Sequence, residues 1–230
     1  CALPISDIYC VPAEHVKEQL IEKGLPSERV FVTGIPVKKD FNIKHSSTEG
    51  PESIPFKNSM GNFSINQKRV LMLGSAMGKL SMKPKTIETL GHMPYHFTIV
   101  TGQDESLYER LKAKELPANF TLVGFTDQVH QLMKQSDLIV TKPGGATIFE
   151  AIESNLPILI QPSNVGQETS NKEFVERYGF GDSYLDSEEM IRKIDGLLAD
   201  DVYSDAIKRN MRSFKAQSEW STVFSKLGRW

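Results

Sequence analysis

Between residues 68 and 160 the sequence alternates five short apolar runs with segments that have the periodicity of amphipathic helices. The apolar runs lie at 70–73, 95–101, 120–123, 138–140 and 157–160. The helix-like segments between them lie at 84–90, 105–114, 128–135 and 147–154. Continuous apolar strands that alternate with helices are typical of a parallel sheet covered on both faces. The sequence therefore predicts an α/β fold with a Rossmann-like, doubly wound parallel sheet.

A shorter strand-helix-strand unit precedes this region. Its elements are a strand at 8–11, a helix at 13–23 that Gly24 can end, and a strand at 29–33. The stretch that follows, to residue 67, is rich in Ser, Asn, Gly and Pro and has no sustained period, which predicts a linker and loop. The last 60 residues have a helical pattern, over 168–178 and from 187 onward.

Composition excludes several classes of protein. The chain has 230 residues, of which 39% are hydrophobic and 24% charged, and this is ordinary globular usage. No apolar run approaches the roughly 18 residues of a membrane-spanning helix. The net charge of −2 gives no reason to expect nucleic acid as a partner. Two cysteines and five scattered histidines form neither a disulfide framework nor a metal-ligand or nucleophile pattern, so no metal and a cytoplasmic setting are expected.

The first candidate motif is Gly74-Ser75-Ala76-Met77-Gly78, which follows the apolar run at 70–73. Glycines at a turn from strand to helix let the backbone approach a phosphate closely. The spacing fits neither a Walker A loop nor the G-x-G-x-x-G dinucleotide pattern. A phosphate site and a purely structural turn therefore both remain open for this segment.

The second motif is Lys142-Pro143-Gly144-Gly145-Ala146-Thr147 with Glu150, at the carboxyl end of a predicted strand. Open α/β sheets bind ligands at that edge. Gly144 and Gly145 permit backbone N–H groups to face a diphosphate, and Thr147 adds a hydroxyl. Glu150, one turn further on, can accept hydrogen bonds from ribose hydroxyls. A capped helix start without a ligand would give the same pattern.

The third motif, at 161–171, again lies directly after a strand and before a helix. Gln167, Glu168 and Asn171 place amide and carboxylate groups on neighbouring positions of one helix, which suits a ligand with several hydroxyls. A polar loop with a helix cap is the alternative. Because two such clusters follow consecutive strands, they are predicted to share one edge of the sheet, and this favours a binding site.

Two weaker features complete the pattern. Phe125 and Thr126 follow a predicted strand and could offer backbone groups to a base, although Asp127 beside them equally suits a helix cap. The segment 218–230 is amphipathic and contains Trp220 and Trp230. It could touch a bilayer surface, but we favour packing against another domain.

Together these segments resemble a known family. The pattern K-P-G-G-x-T-x-x-E-A at 142–151, with Leu-Pro at 156–157, Pro162 and G-Q-E-x-x-N at 166–171, is similar to glycolipid-forming glycosyltransferases. These include plant monogalactosyldiacylglycerol synthase and bacterial processive diacylglycerol glucosyltransferases, which are relatives of the peptidoglycan-precursor N-acetylglucosaminyltransferase. The segments 7–14 and 32–37 resemble the family's connection between its two domains. The resemblance covers nearly the whole chain except about 42–67.

The resemblance implies the C-terminal half of a GT-B architecture, in which two Rossmann-like domains face each other across a cleft and the C-terminal one holds a UDP-sugar. The implied domains are a remnant of the N-terminal acceptor domain with the interdomain segment at 1–36, a linker and loop at 37–67, the UDP-sugar-binding domain at 68–215, and a helix at 216–230 that packs back on the N-terminal domain.

Site residues carry over position by position from the same resemblance. The diphosphate is assigned to Gly74, Ser75, Gly78, Gly144, Gly145 and Thr147. Uracil is assigned to the backbone around Phe125 and Thr126, and the ribose to Glu150. The sugar hydroxyls are assigned to Gln167 and Glu168, and Asn171 completes the UDP-sugar-binding set.

The implied function is inverting transfer of a hexose from a UDP-hexose to diacylglycerol, at the inner face of the cell membrane, by a peripheral enzyme without a cofactor. The family's general base lies in the N-terminal domain, so no catalytic residue is assigned in this chain. Since only the end of that domain is present, the chain is expected to be a donor-binding fragment that could be inactive alone. Two alternatives remain open: an N-acetylglucosaminyltransferase acting on a lipid-linked precursor, and a non-catalytic nucleotide-sugar-binding module.

Overall fold

The computed structural model describes residues 7–42, 67–73, 84–161 and 166–227, and within them the strands form two separate parallel sheets. The small sheet pairs β1 (Tyr9–Val11) with β2 (Val30–Val32). The large sheet contains β3 (Arg69–Leu73), β4 (His96–Val100), β5 (Phe120–Val123), β6 (Leu138–Thr141), β7 (Ile158–Ile160) and β8 (Gly181–Ser183).

The large sheet has the strand order β5-β4-β3-β6-β7-β8, and each of its neighbouring pairs is parallel. From β3 the chain moves outward through β4 to β5, and from β6 it moves outward in the opposite direction to β8. The order therefore reverses between β3 and β6, where Met72 pairs with Val140. This topology confirms the predicted doubly wound sheet.

The helices alternate with these strands along the described chain as far as β8, and three of them follow it in succession. They are α1 (Glu14–Glu22), α2 (Lys39–Asn42), α3 (Pro84–Gly91), α4 (Glu105–Lys112), α5 (Val129–Lys134), α6 (Gly145–Glu153), α7 (Gly166–Arg177), α8 (Ser187–Ala199), α9 (Asp201–Ala216) and α10 (Trp220–Leu227). Connections between parallel neighbours are right-handed as a rule, which places the helices of the two half-sheets on opposite faces.

The sequence predictions for the strands and helices are confirmed to within about two residues, with three differences. The short helix α2 (Lys39–Asn42) lies in the stretch predicted as linker and loop, and the rest of that stretch, from 43 to 66, lies outside the described residues. The helix predicted at 147–154 begins at Gly145, so both the glycine and the alanine before Thr147 are helical. The strand β8 was not predicted. Its sequence Gly-Asp-Ser has no β-branched or aromatic residue, and it is strand because its backbone pairs with β7.

An aromatic cluster joins the helices around the second half of the large sheet. Phe149 of α6 stacks on Phe174 of α7, with ring centroids 5.5 Å apart and planes at 13°. Phe214 of α9 meets Phe174 edge-on at 5.7 Å, and Phe180, which is fully buried, meets it at 5.6 Å. Such pairs contribute about 0.5–1.5 kcal/mol each beyond their buried area. The cluster fixes α6 against α7.

The small sheet has its own core and is joined to the C-terminal part of the chain by hydrogen bonds. Val32 exchanges two bonds with Glu219: its N–H donates to the Glu219 carboxylate at 2.6 Å, and its carbonyl accepts from the Glu219 N–H at 2.8 Å. The Ser218 hydroxyl donates to the Thr33 carbonyl at 3.1 Å. The segment before α10 therefore lies along β2 and holds it.

Glu219→Ala is expected to lower the free energy of unfolding by about 1–3 kcal/mol, because it leaves the N–H of the buried Val32 without an acceptor. Urea denaturation followed by circular dichroism measures the change. Glu219→Gln keeps an oxygen acceptor and is expected to lose less. Equal stability of the Ala and Gln variants would contradict the role assigned to this carboxylate.

Within the described ranges, no helix has both the length and the apolar character that crossing a membrane requires.

Candidate functional site

The carboxyl edge of the large sheet brings together the segments that the sequence singled out. The β3–β6 reversal point lies at its centre, and ligands of open α/β sheets bind there. The loop after β6 begins at Lys142, the loop after β7 begins at Gln161, and Gly124 opens the loop after β5. β5 lies three strand spacings from β6, about 14 Å. The edge therefore suits an elongated ligand.

The N-terminus of α6 has no side-chain cap. Gly144 is its N-cap residue and makes no side-chain hydrogen bond. By contrast α4, α8 and α9 are each capped by an aspartate, Asp104, Asp186 and Asp200 respectively. The helices α1 and α5 also lack a side-chain cap, but they follow β1 and β5 and do not begin at the β3–β6 reversal point. The first N–H groups of a helix lack intrahelical partners and carry a partial positive charge. At α6 these groups remain available to an anion.

Gly145 is held between two side chains from other elements. A Cβ at this position would lie 3.6 Å from Ile35 Cδ1 and 3.8 Å from Asn171 Nδ2. The Asn171 amide donates to the Pro143 carbonyl at 2.8 Å. This bond joins α7 to the loop after β6. It confirms that the two predicted clusters share one place on the sheet edge.

Glu150 lies in the middle of α6 and is half-buried. Burial raises the pKa of its carboxyl group, and the positive charge of Lys38 acts in the opposite direction. A half-buried carboxylate in the helix that starts at Gly145 is a strong hydrogen-bond acceptor for a hydroxyl group. Thr147 lies between Gly144 and Glu150, in the first turn of α6, and is partly exposed. A Cβ at Gly144 would lie 3.9 Å from the Thr147 hydroxyl oxygen.

The loop after β5 presents an exposed aromatic ring. The Phe125 side chain is 72% exposed, and the Thr126 hydroxyl accepts a hydrogen bond from the Gln128 N–H at 3.1 Å. A cavity of about 400 Å³ lies between this loop and the loop after β4. Its lining includes Gly102, Gln103, Tyr108 and Phe125. The cavity has an aromatic wall and an amide, which are features that suit a flat polar ring.

The first turn of α7 carries Gln167 and Glu168, and Glu168 is partly buried. The Gln167 side chain lies outside the described residues, as do Gly74, Ser75 and Gly78 of the first motif. The assignment of individual residues to a ligand therefore stays a prediction throughout this set. Among the described residues, no three His, Cys, Asp or Glu side chains converge as metal ligands would.

Four residues at this edge were not assigned to the site from the sequence, namely Thr141, Tyr184, Lys38 and Ile35, whereas Gln161 opens the third motif at 161–171. Thr141, Gln161 and Tyr184 close or follow β6, β7 and β8, and each has a buried side-chain oxygen without a hydrogen-bond partner. Five other described residues also have such an atom, namely Asn119, Gln128, Gln131, Ser154 and Asn155, so an unpaired oxygen alone does not mark a binding site. For Thr141 the signal that could have found it is a polar residue at the end of an apolar strand. Tyr184 has no such signal, because β8 is not apolar. Lys38 and Ile35 have no local sequence pattern that links them to the site, because only the folded chain brings them close to α6.

The chain is similar in sequence to glycosyltransferases. Residues 74–221 match the family model described as glycosyltransferase family 28 C-terminal domain. The processive diacylglycerol β-glucosyltransferase of Bacillus cereus strain B4264 is 30% identical over 210 residues, which are 90% of this chain and 52% of that protein. The enzyme of the same name from Bacillus pumilus strain SAFR-032 is 29% identical over 220 residues, 94% and 56% of the two chains. The chain thus spans about half the length of the curated relatives it matches.

Among solved structures, the glycosyltransferase SnogD from Streptomyces nogalater is similar, with a TM-score of 0.57 and 18% identity over 90% of this chain and 52% of that one. At this identity the likeness establishes the fold alone. It agrees with the expected C-terminal half of a GT-B glycosyltransferase.

Proposed function

The chain belongs to the family of glycosyltransferase family 28 C-terminal domains, and from this premise we propose that it is the donor-binding half of an inverting hexosyltransferase. The acceptor in this proposal is diacylglycerol and the transferred sugar is a hexose, as the names of the relatives from Bacillus suggest. The donor is proposed to be a UDP-hexose, which the sequence resemblance implies. The observation that carries the proposal is the uncapped N-terminus of α6 at the reversal point of the sheet, with Glu150 in the same helix.

The diphosphate is proposed to lie against Gly144, Gly145 and Thr147. Three features support this: a glycine cap without a competing side chain, the positive end of the helix dipole, and a hydroxyl in the first turn. Gly74, Ser75 and Gly78 are proposed to face the diphosphate from the end of β3.

The nucleoside and the sugar are proposed to extend in opposite directions from the diphosphate. The ribose hydroxyls donate to Glu150, and the base lies at Phe125 and Thr126. The sugar hydroxyls meet the first turn of α7 at Gln167 and Glu168. The spread of these residues over the edge from β5 to β7 supports an elongated ligand such as a nucleotide sugar.

In the proposed reaction an acceptor hydroxyl attacks the anomeric carbon while the bond from that carbon to the UDP oxygen breaks. A new glycosidic bond forms with inverted configuration, and the hydroxyl proton passes to a base that we assign to the other half of the enzyme. The contribution of this chain is to stabilise the negative charge that develops on UDP, through preorganised N–H groups and the helix dipole. No cofactor is required by this scheme.

Because diacylglycerol resides in membranes, we propose that the complete enzyme works as a peripheral protein at the inner face of the cell membrane. The partners of this chain would then be the UDP-hexose, the acceptor half and the membrane surface. Nucleic acid has no place in the scheme.

Calorimetric titration of the 230-residue chain with UDP, UDP-glucose and UDP-galactose tests the proposal. Binding of UDP and at least one UDP-hexose is expected. Absence of binding by every uridine nucleotide would overturn it. Binding combined with a failure to transfer hexose to diacylglycerol, even when the other half of the enzyme is supplied, would favour a nucleotide-sugar-binding module instead.

Glu150→Gln is expected to weaken UDP binding by about 1.5–3 kcal/mol, since a charged acceptor of hydroxyl hydrogen bonds becomes neutral. The loss should disappear with 2′,3′-dideoxy-UDP, which lacks the hydroxyls that Glu150 is proposed to bind. Calorimetry on both ligands and both proteins gives the coupling between the carboxylate and the ribose. An equal loss with the two ligands would show that Glu150 acts elsewhere.

A further inference from the structure

Asn171 makes the hydrogen bond that joins the two loops at the centre of the candidate site. Its side-chain amide donates to the Pro143 carbonyl at 2.8 Å, across 28 positions of sequence. Pro143 precedes the N-cap of α6, and Asn171 lies in the second turn of α7. The bond therefore fixes the start of one helix against the body of the next.

The position of Asn171 inside a helix indicates that this hydrogen bond has a structural or functional role. Asparagine is a poor residue for a helix interior, because its short polar side chain competes with the backbone for hydrogen bonds. Within α7 the Asn171 amide is directed to another segment instead. The Pro143 carbonyl is not used by α6 either, whose first acceptor is the Gly144 carbonyl, bonded to the Ile148 N–H at 3.0 Å.

The loop itself has little freedom to absorb a displacement. Within it the Gly144 N–H donates to the Lys142 carbonyl at 2.7 Å. Gly145 then lies between Asn171 on one side and Ile35 on the other, where a Cβ would be 3.8 Å and 3.6 Å from their nearest atoms. The Gly144 N–H is therefore engaged within the loop, and the direction of the Gly145 N–H depends on where Asn171 holds the Pro143 carbonyl.

We propose that Asn171 is a positioning residue for the donor diphosphate, acting through the Pro143 carbonyl on the Gly145 amide at the start of α6. This proposal rests on the proposed function. It replaces the assignment of Asn171 as a direct contact of the UDP-sugar with an indirect role. It also gives the link by which a change in the loop after β7 alters the affinity for a phosphate bound at the loop after β6.

The test compares uridine, UDP and UDP-glucose by calorimetry on the full 230-residue chain and on Asn171→Asp and Asn171→Ala. Both variants remove the amide donor, and Asp keeps the shape of the side chain. UDP is expected to bind about 10-fold more weakly to each. Uridine, which lacks the diphosphate, should bind unchanged. The ratio of UDP-glucose to UDP affinity should also stay the same, because the sugar contacts are not altered.

Two further variants act as controls. Ser170→Ala truncates the neighbouring residue, whose exposed hydroxyl donates to the Gly166 carbonyl of its own helix at 3.4 Å, and should leave UDP affinity unchanged. Asn171→Gln retains an amide donor and should bind UDP more tightly than Asn171→Ala.

The outcomes distinguish the two proposals. Unchanged UDP affinity in Asn171→Asp and Asn171→Ala would overturn the positioning role while leaving the proposed function intact. Weaker UDP-glucose binding with unchanged UDP binding would show that Asn171 touches the sugar directly, which also overturns it. Loss of uridine binding in step with UDP would show that Asn171 supports the whole site and not the diphosphate in particular, which overturns the positioning role as well. If the unsubstituted chain binds no uridine nucleotide, the proposed function fails and the positioning role fails with it.

Discussion

Gly181→Ala is expected to lower the free energy of unfolding by about 3 kcal/mol or more. Gly181 opens β8 with φ +158 and pairs with Ile158 of β7. A Cβ placed on it would lie 1.7 Å from the Ile158 carbonyl oxygen and 2.7 Å from the carbonyl carbon. Backbone atoms cannot rotate away as a side chain can, so β8 must move or detach from the sheet.

Thermal unfolding measures this effect, and for a chain of this size about 3 kcal/mol corresponds to a midpoint lower by roughly 6–12 °C. Gly196→Ala is the matched control. Gly196 lies inside α8, where a Cβ would meet no atom within 4 Å. Alanine is the better helix residue, so this variant should be as stable as the parent or more stable, by up to about 1 kcal/mol. Similar midpoints for the two variants would contradict the placement of β8.

The strand β8 is also the strand of the large sheet that could not be predicted from the sequence. β3, β4, β6 and β7 could be predicted because each is buried on both faces and therefore continuous in apolar residues. β8 is an edge strand of only three residues with the sequence Gly-Asp-Ser. Its conformation comes from backbone pairing and from the absence of a Cβ at Gly181, and neither produces a periodic pattern.

The candidate site also contains residues that the sequence predicts and contacts that it does not predict. Gly144, Gly145 and Glu150 could be predicted because glycines that follow an apolar strand and precede a helix have a local physical meaning. The bond from Asn171 to Pro143 could not, because nothing local links an asparagine to a carbonyl 28 positions earlier. The half-burial of Glu150 and the approach of Lys38 likewise arise only when α2 packs against α6.

At Gly144, the residue that would best stabilise α6 differs from the residue that would best allow a diphosphate to bind. A side-chain cap would satisfy the first N–H groups of α6, as Asp104, Asp186 and Asp200 do for other helices. A glycine leaves them open instead. If α6 were only a structural helix, an aspartate at its N-cap would be a pure improvement. If α6 binds a diphosphate, the same aspartate occupies the site with the wrong charge.

Gly144→Asp is therefore expected to stabilise the fold slightly and to abolish most UDP binding. Gly144 has φ −79 and ψ 125, which any residue adopts, and a Cβ there would have its nearest neighbours at 3.8 Å and 3.9 Å. An Asp carboxylate can accept from the N–H of Ala146 or Thr147, with a gain of about 0.5 kcal/mol in unfolding free energy. UDP should bind about 100-fold more weakly, since its diphosphate loses these donors and meets a negative charge.

The opposite signs of the two effects make the prediction specific. Thermal unfolding and calorimetry with UDP on the same preparations measure them, and uridine serves as the ligand without a diphosphate. Gly144→Ala adds a Cβ without a charge or an acceptor, so its UDP affinity should stay within a few-fold of the parent. A Gly144→Asp variant that gains stability and still binds UDP normally would place the diphosphate elsewhere on the sheet edge. One that loses stability and binding together would instead show that Gly144 is needed for the shape of the loop rather than for its open amides.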